Sequence, residues 1–355
     1  MAMQTTTNPA SNANQIQTYF TRRLMTRLTN ELVFAQWGKK EDLQANMAAK
    51  VIRFFRTNQA VASNIASLTE GVAPTTFSEI DLGYIDCTLL QVGGLKKISD
   101  ILQGISLFNW VKENVDILGE EMALNADGVV RNALVAGILA AAGGISLIGG
   151  STGYFNRFAG VRNTGTDAND FATLYGFADP NMGKFTRAGA LSCITQLRVA
   201  KIPKIQGSYA VAVSPAVLQD VRLDPQWTLA AQYNGEKLFK KEVVSIDGCK
   251  YVEADNQFIE KNTYGTYDQT GGIYTTLFIG RDAYGTPRLL TDKTGSSPFN
   301  PSIVILNKAD KTDPLNQYTL VGVKAFWNAT VLWVGSFSQT DPPRAVAYRS
   351  QSTFN

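Results

Sequence analysis

The longest apolar periodicity in the chain runs from about Ser99 or Ser106 to Ala136. Leu107, Trp110, Val111, Val115, Leu118, Met122, Val129, Val130 and Leu134 approximate a 3.6-residue stripe, and Glu113, Glu120, Glu121 and Arg131 lie mostly off it. At 1.5 Å per residue, a helix of about 30 residues reaches about 45 Å, far beyond the usual globular helix. Such a rod is the backbone of something flat or elongated, and the rest of the chain must arrange itself along it. Asn109, Asn125 and Gly128 are the weak points at which it would bend.

Upstream of the rod, Phe20, Leu24, Leu28 and Leu32 recur every four residues and predict a first helix from about Gln17 to Gln36, stopped by Gly38. Arg22, Arg23, Arg27 and Asn30 fall on its other faces. Lys50–Arg56 is rich in β-formers, a polar, low-charge stretch follows through Glu70-Gly71 and Pro74, and Phe77–Gln91 has the mixed run of a second strand. A connection this long and polar predicts a protruding hairpin, not a tight turn in a core.

Downstream, Gly149–Gly183 is rich in Gly, Thr, Asn and Asp and reads as irregular. A helix is expected over Phe185–Lys201 and a buried strand at Tyr209–Val213. The pair Ser214-Pro215, cap then proline, opens a short helix to about Arg222. Strands are expected at Lys250–Glu253, Tyr274–Ile279, Tyr318–Ala325 and Ala329–Ser336, and Arg344–Tyr348 reads as a last edge strand. No repeat of about 20–50 residues is visible, which argues against solenoids and propellers.

Composition narrows the function. There is no histidine, which removes the commonest general base, proton shuttle and metal ligand together. The formal net charge of +3 gives no strong pull toward nucleic acid or anionic membrane, and it suits a protein that packs against copies of itself. Cys87, Cys193 and Cys249 are odd in number and far apart, matching neither a disulfide framework nor a zinc site. Met1–Asn14 is polar, unlike a signal peptide, and reads as a loosely ordered arm. Asn132–Asn156 carries no charge and is long enough to span a membrane, but its glycines favour a buried helix end running into a glycine-rich loop.

Motifs that carry chemistry are scarce. Gly143–Gly153 fits neither phosphate-binding glycine pattern. Glu120 and Glu121 are adjacent on a helix and point about 100° apart, so they cannot share a substrate and instead belong to a solvated or interface surface. Asp247-Gly248 is a hairpin-turn signal between Val243–Ile246 and Cys249–Val252. Trp227, Trp327 and Trp333 lack interleaved basic residues and read as core or interface packing, not as platforms for single strands.

The order of elements resembles the Hong Kong 97-like (Johnson) fold of tailed-bacteriophage capsid proteins. Several segments resemble, more narrowly, the N4-like major capsid family. They are Tyr19–Phe34 followed by Gly38-Lys39-Lys40, Val51–Arg56 leading to Leu68–Thr75 (LTEGVAPT), and Leu118-Gly119-Glu120-Glu121 with Arg131, Leu134 and Gly137. Ser214-Pro215, Asp224-Pro225-Gln226-Trp227, Glu236–Phe239 and Gly280–Gly285 (GRDAYG) follow in order, so the resemblance covers about residues 17–285. The uncharged Asn132–Asn156 segment is longer and richer in glycine than the family's pattern.

The resemblance implies an α+β chain with an N-terminal arm (1–16), an N-terminal helix (17–37) and an extended β-hairpin loop over 38–95 that overlaps a neighbouring subunit. A long spine helix with the peripheral domain (96–148), an axial domain (149–314) and closing peripheral strands (315–355) complete it. It implies a major capsid protein, not an enzyme, with no cofactor or metal, assembled in the host bacterial cytoplasm into pentamers and hexamers of an icosahedral virion shell around double-stranded DNA. Portal and scaffold or cement proteins are the implied partners, and no membrane is involved. Candidate assembly residues are Arg22, Arg23, Arg27, Lys39, Lys40, Arg53, Arg56, Glu70, Glu120 and Glu121. The arginines of the first helix face solvent, packaged DNA or an acidic patch on a neighbour. A virion decoration or adhesion protein and a carboxylate- or lysine-dependent α/β enzyme are the alternatives from other classes.

Overall fold

A computed structural model describes residues 19–24, 26–28, 32–41, 50–57, 70–71, 82–141, 156–158, 185–223, 242–254, 259–260, 273–287, 301–306, 314–333 and 342–350. The first helix, α1, is helical at 19–24 and 26–28. A two-stranded sheet of β2 (Val51–Thr57) and β3 (Leu82–Thr88) leads through Leu89 into β4 (Leu90–Ser99), the six-residue helix α2 (Asp100–Ile105) and the long helix α3 (Trp110–Ala141).

Helix α3 is continuous for 32 residues, through Asn125 and Gly128. It begins later than the periodicity predicts because Asn109 caps it, its Oδ1 accepting from Lys112 N at 3.1 Å. Its two halves pack on different sheets, which explains its length. Val115 and Leu118 join Leu24 of α1 against Ile98 of β4, Ile303 of β12 (Ser302–Leu306) and Val321 and Val323 of β13 (Tyr318–Trp327). Those strands form a three-stranded antiparallel sheet, β12-β13-β4, whose β4–β13 ladder runs ten pairs from Tyr318↔Ser99 to Trp327↔Leu90. Further along α3, Ala123, Ala126, Val130, Leu134 and Ile138 pack with Ala210, Ala212, Val252, Leu277, Ile279, Ala345 and Ala347 of the largest sheet.

That seven-stranded mixed sheet has the order β5 (Asn156–Phe158), β15 (Ala345–Ser350), β10 (Ile273–Ile279), β6 (Tyr209–Val213), β8 (Cys249–Glu253), β7 (Glu242–Ile246), with β9 (Ile259–Glu260) also on β10. Alternation along each strand splits its side chains between two cores. Ala210 and Ala212 face α3. Tyr209, Val211 and Val213 face α4 (Arg187–Val199) and α5 (Pro215–Leu223). Every residue of β6 is buried, as a strand covered on both faces must be. Val217 N reaches Ser214 Oγ at 3.3 Å, the expected cap of α5. Asp247 and Gly248, both at positive φ, make the tight β7–β8 turn.

Three expectations need correction. The first helix does not run to Gln36: Phe34–Gln36 is a 3₁₀ turn, because the buried Asp127 carboxylate of α3 accepts from Val33 N (2.8 Å) and Phe34 N (3.2 Å) and draws those donors out of an α pattern. The strand expected at Ala329–Ser336 shrinks among the described residues to β14 (Thr330–Val331), paired with β11 (Tyr284–Pro287). β11 also takes β1 (Lys39–Glu41) in parallel. The strand at Arg344–Tyr348 is not an edge: β15 lies between β5 and β10, and Ala345–Tyr348 are buried. Among the described residues no helix is long and apolar enough to cross a membrane, and α3 ends at Ala141. Residues 149–155 and 159–183 of the stretch read as irregular lie outside the described residues.

Candidate assembly interface

The β2–β3 hairpin has two unlike faces. Ile52, Phe54, Ile85 and Cys87 point inward and form a small core with Leu89 and Leu332. Phe54 seats over Gly285 of β11, where an added Cβ would come within 2.6 Å of the ring, so glycine is required there. Burial holds the Cys87 thiol up to about 11. The outer face carries Arg53, Phe55, Leu82, Tyr84 and Asp86, all exposed. Arg53 Nε and Nη2 grip Asp86 across the ladder at 2.8 and 2.9 Å, and the guanidinium lies 4.0 Å from the Tyr84 ring centre. The pair lowers the Asp86 carboxyl below its ordinary range. Phe55 and Tyr84 are direct cross-strand partners in register. The ladder ends at Thr57↔Leu82, so the sequence between them leaves from the hairpin's far end. Glu70 and Gly71, exposed on a turn, are the only described part of it.

The arginines of α1 separate into two groups. Arg23 chelates Asp116 of α3, its Nε 2.6 Å from Oδ1, and Arg27 binds Glu120, its Nε 2.6 Å from Oε1. These steps of four on both helices form a ladder that ties α1 to the rod. Arg22 is exposed and makes no side-chain ion pair among the described residues. Glu121 turns to the other side of α3, where Lys96 Nζ of β4 reaches it at 2.5 Å. Adjacent glutamates thus bind partners on different faces of the rod, as their angular separation requires.

The remaining basic residues lie on β1 and toward the far end of the hairpin ladder. Lys39 Nζ donates to Phe55 O at 2.8 Å, holding β1 to β2, while Lys40 is exposed on β1. Arg56 turns inward and donates through Nη1 to Leu332 O at 2.5 Å. Burial and the like charge of Arg344 push its guanidinium down to about 10, against the opposing pull of Asp282. The ten sequence candidates therefore do not form one surface. Arg23, Arg27, Glu120 and Glu121 brace α1 and β4 on the rod, Lys39, Arg53 and Arg56 brace the hairpin, and Arg22, Lys40 and Glu70 face outward.

Sequence reasoning missed Asp86 and Asp116, which spend two of these charges inside the chain, because a partner distant in sequence leaves no local signal. It also missed an apolar surface. Ile101, Leu102, Ile105, Leu107 and Phe108 are all exposed, and α2 buries no residue. Among the described residues no group of three or more His, Cys, Asp or Glu side chains is placed to hold a metal ion.

No protein-family model matches the sequence, and no curated protein matches it. The fold does have solved counterparts. The capsid of Ralstonia phage GP4 superposes with a TM-score of 0.62 at 11% identity, covering 89% of this chain and 87% of that one. The capsid of cyanophage Pam1 gives 0.54 at 11% identity over 89% of each chain. That of cyanophage P-SCSP1u gives 0.53 at 14% identity over 91% and 89%. With its hairpin, its rod helix and the sheets packed along that rod, the chain has the Hong Kong 97-like α+β fold of phage capsid proteins.

Proposed function

We propose that this chain is the major capsid protein of a tailed bacteriophage, a non-catalytic subunit that assembles into the icosahedral shell enclosing double-stranded DNA. The observation that carries the reading is the shared fold with phage capsids over about nine-tenths of both chains. An exposed hairpin face and a bare apolar helix, on a chain with little net charge, fit a subunit completed by its neighbours.

In this reading 1–16 is the arm, 17–37 carries the first helix and the 3₁₀ turn after it, and 38–95 is the loop that overlaps a neighbour. Residues 96–148 and 315–355 make the peripheral domain, and 149–314 the axial domain around local symmetry axes. The ordered segments quoted above, among them LTEGVAPT and GRDAYG, favour the N4-like family. Portal and scaffold or cement proteins complete the partners, the DNA is met by non-specific contact, and assembly takes place in the host bacterial cytoplasm.

Negative-stain microscopy and light scattering on the purified chain, with and without co-expressed scaffold candidates, test the reading. Closed uniform shells, or pentamers and hexamers, are expected. A chain that stays monomeric with every candidate overturns it. Deleting Thr57–Thr75 is expected to leave a folded monomer that forms no shells, and normal shells from that deletion would remove the loop from the clasp.

A further inference from the structure

Between β4 and α3 the chain presents five large apolar side chains in eight residues. Ile101 is 67% exposed, Leu102 44%, Ile105 80%, Leu107 109% and Phe108 60%. Together they bare on the order of 600 Å², the upper end of what ordinary monomers leave uncovered. A six-residue helix is far too short to hold in water by itself. Polar contacts hold α2 in place instead: Asp100 N donates to Gln317 O at 3.0 Å, and Thr319 Oγ1 lies 3.2 Å from Gln103 Oε1. The segment is thus a knob anchored at its base, with its apolar side chains pointing away from its own core.

The same chain carries a shallow apolar counterpart. The face of the β12-β13-β4 sheet turned away from α3 holds an open groove of about 520 Å³ lined by Gly93, Leu95, Val304 and Gly322, among others. Leu95, Gly322 and Val304 are aligned in register across the three strands, with Leu95 66% and Val304 46% exposed. Glycine in the middle of a central strand weakens it, and a β-branched residue would be the ordinary choice. At Gly322 such a side chain would fill the groove, meeting Leu95 Cδ1 at 3.1 Å. Lys97 and Lys324 flank the stripe, whereas Asp100 is the only charged residue from Ser99 to Asn109.

We propose that the α2 knob of one copy of this chain seats in the outer groove of the β12-β13-β4 sheet of another copy. Knob and groove are different surfaces of one chain, complementary in polarity and charge, which is the requirement for a contact that propagates and closes. With Leu95, Val304 and Leu306, the contact buries on the order of 1,000 Å² in total, the low end for a specific interface. One such contact is weak, so its occupant is a copy presented many times over, not a partner bound once. The choice of a copy as occupant rests on the shell-subunit reading.

Mixed cysteine cross-linking tests it. Ile105→Cys chains are mixed with Val304→Cys chains under oxidising conditions, in assembled particles and in concentrated free chain. The native Cys87, Cys193 and Cys249 are buried, so background is low. A covalent dimer in the mixture, absent from either variant alone, is expected. A dimer from Ile105→Cys alone puts knob against knob and overturns the proposal. So does cross-linking of Val304→Cys to a cysteine placed within residues 58–81 and not to residue 105, and so does no dimer in any sample. Cross-links in a chain that forms neither shells nor pentamers and hexamers with any scaffold candidate would sustain the contact and sink the capsid reading, while shells without cross-links would do the reverse. As a second variant, Ile105→Asp with Leu107→Asp is expected to leave the monomer's melting temperature unchanged and lower self-association at least tenfold.

Discussion

Replacing Phe54 by alanine tests how the hairpin is held. A two-stranded hairpin is at best marginal in water, so β2 and β3 depend on docking through the small core of Ile52, Phe54, Ile85, Cys87, Leu89 and Leu332. Phe54 is 1% exposed and fills the slot above Gly285, where no Cβ is available to close the gap. Truncating a buried phenylalanine costs about 3–5 kcal/mol, and at about 1.4 kcal/mol per decade the lower figure is about a hundredfold. That loss falls on local opening of the hairpin, because this core is separate from the clusters under α3 and on the far side of the largest sheet. Native-state hydrogen exchange is therefore expected to speed up about a hundredfold at the amides paired between 51–57 and 82–88. Exchange in α3 and in the β4–β13 ladder should stay the same. A uniform acceleration across the chain would mean that the hairpin folds as one unit with the body. No acceleration would mean that the Phe54 slot does not hold it.

Other substitutions separate bracing from assembly. Asp127→Asn leaves one acceptor for two buried backbone donors and should cost about 2–3 kcal/mol in urea unfolding, with a change under about 0.5 kcal/mol contradicting the role of Asp127 in turning the chain after α1. Arg23→Ser and Arg27→Ser break partly exposed pairs and should cost about 1 kcal/mol together, whereas Arg22→Ser should leave stability unchanged and alter only the salt dependence of assembly. Equal effects of all three on stability would contradict that division. Alkaline stability is set by the buried thiols. Burial raises Cys249 from 9 to about 12 and Cys87 to about 11, so their contribution is complete below pH 9 and is lost as pH rises through the folded values. For Cys249 alone this is on the order of 4 kcal/mol by pH 12. Tyr251 and Tyr284, also raised by burial, act in the same direction, while Arg56, lowered to about 10, opposes them above that pH. Urea midpoints should fall from pH 9 upward and fall less steeply in Cys249→Ala; a flat profile would contradict the burial.

Much of the architecture was legible in local patterns. The 3.6-residue stripe announced the rod, Ser214-Pro215 the start of α5, Asp247-Gly248 the β7–β8 turn, and the all-apolar Tyr209–Val213 a strand covered on both faces. Each depends on residues a few positions apart, which is the range over which backbone geometry correlates side chains. The ends of elements were less legible. Asp127 ends the α pattern before Phe34 from 93 residues away, and the strand at Arg344–Tyr348, read as an edge because Pro342-Pro343 precedes it, lies inside the largest sheet.

The candidate interface divides in the same way. Sequence determined that the chain carries basic and acidic residues on its helices and hairpin, and that no histidine is present to do chemistry. Only the tertiary structure decided which of those charges are used internally: Arg23 by Asp116, Arg27 by Glu120 and Arg53 by Asp86. It also decided that the apolar residues of 101–108, which would pass for core by composition, stand in solvent on an anchored short helix and the bend after it. Burial is a property of where elements meet, and residues distant along the chain meet only when the whole fold has closed.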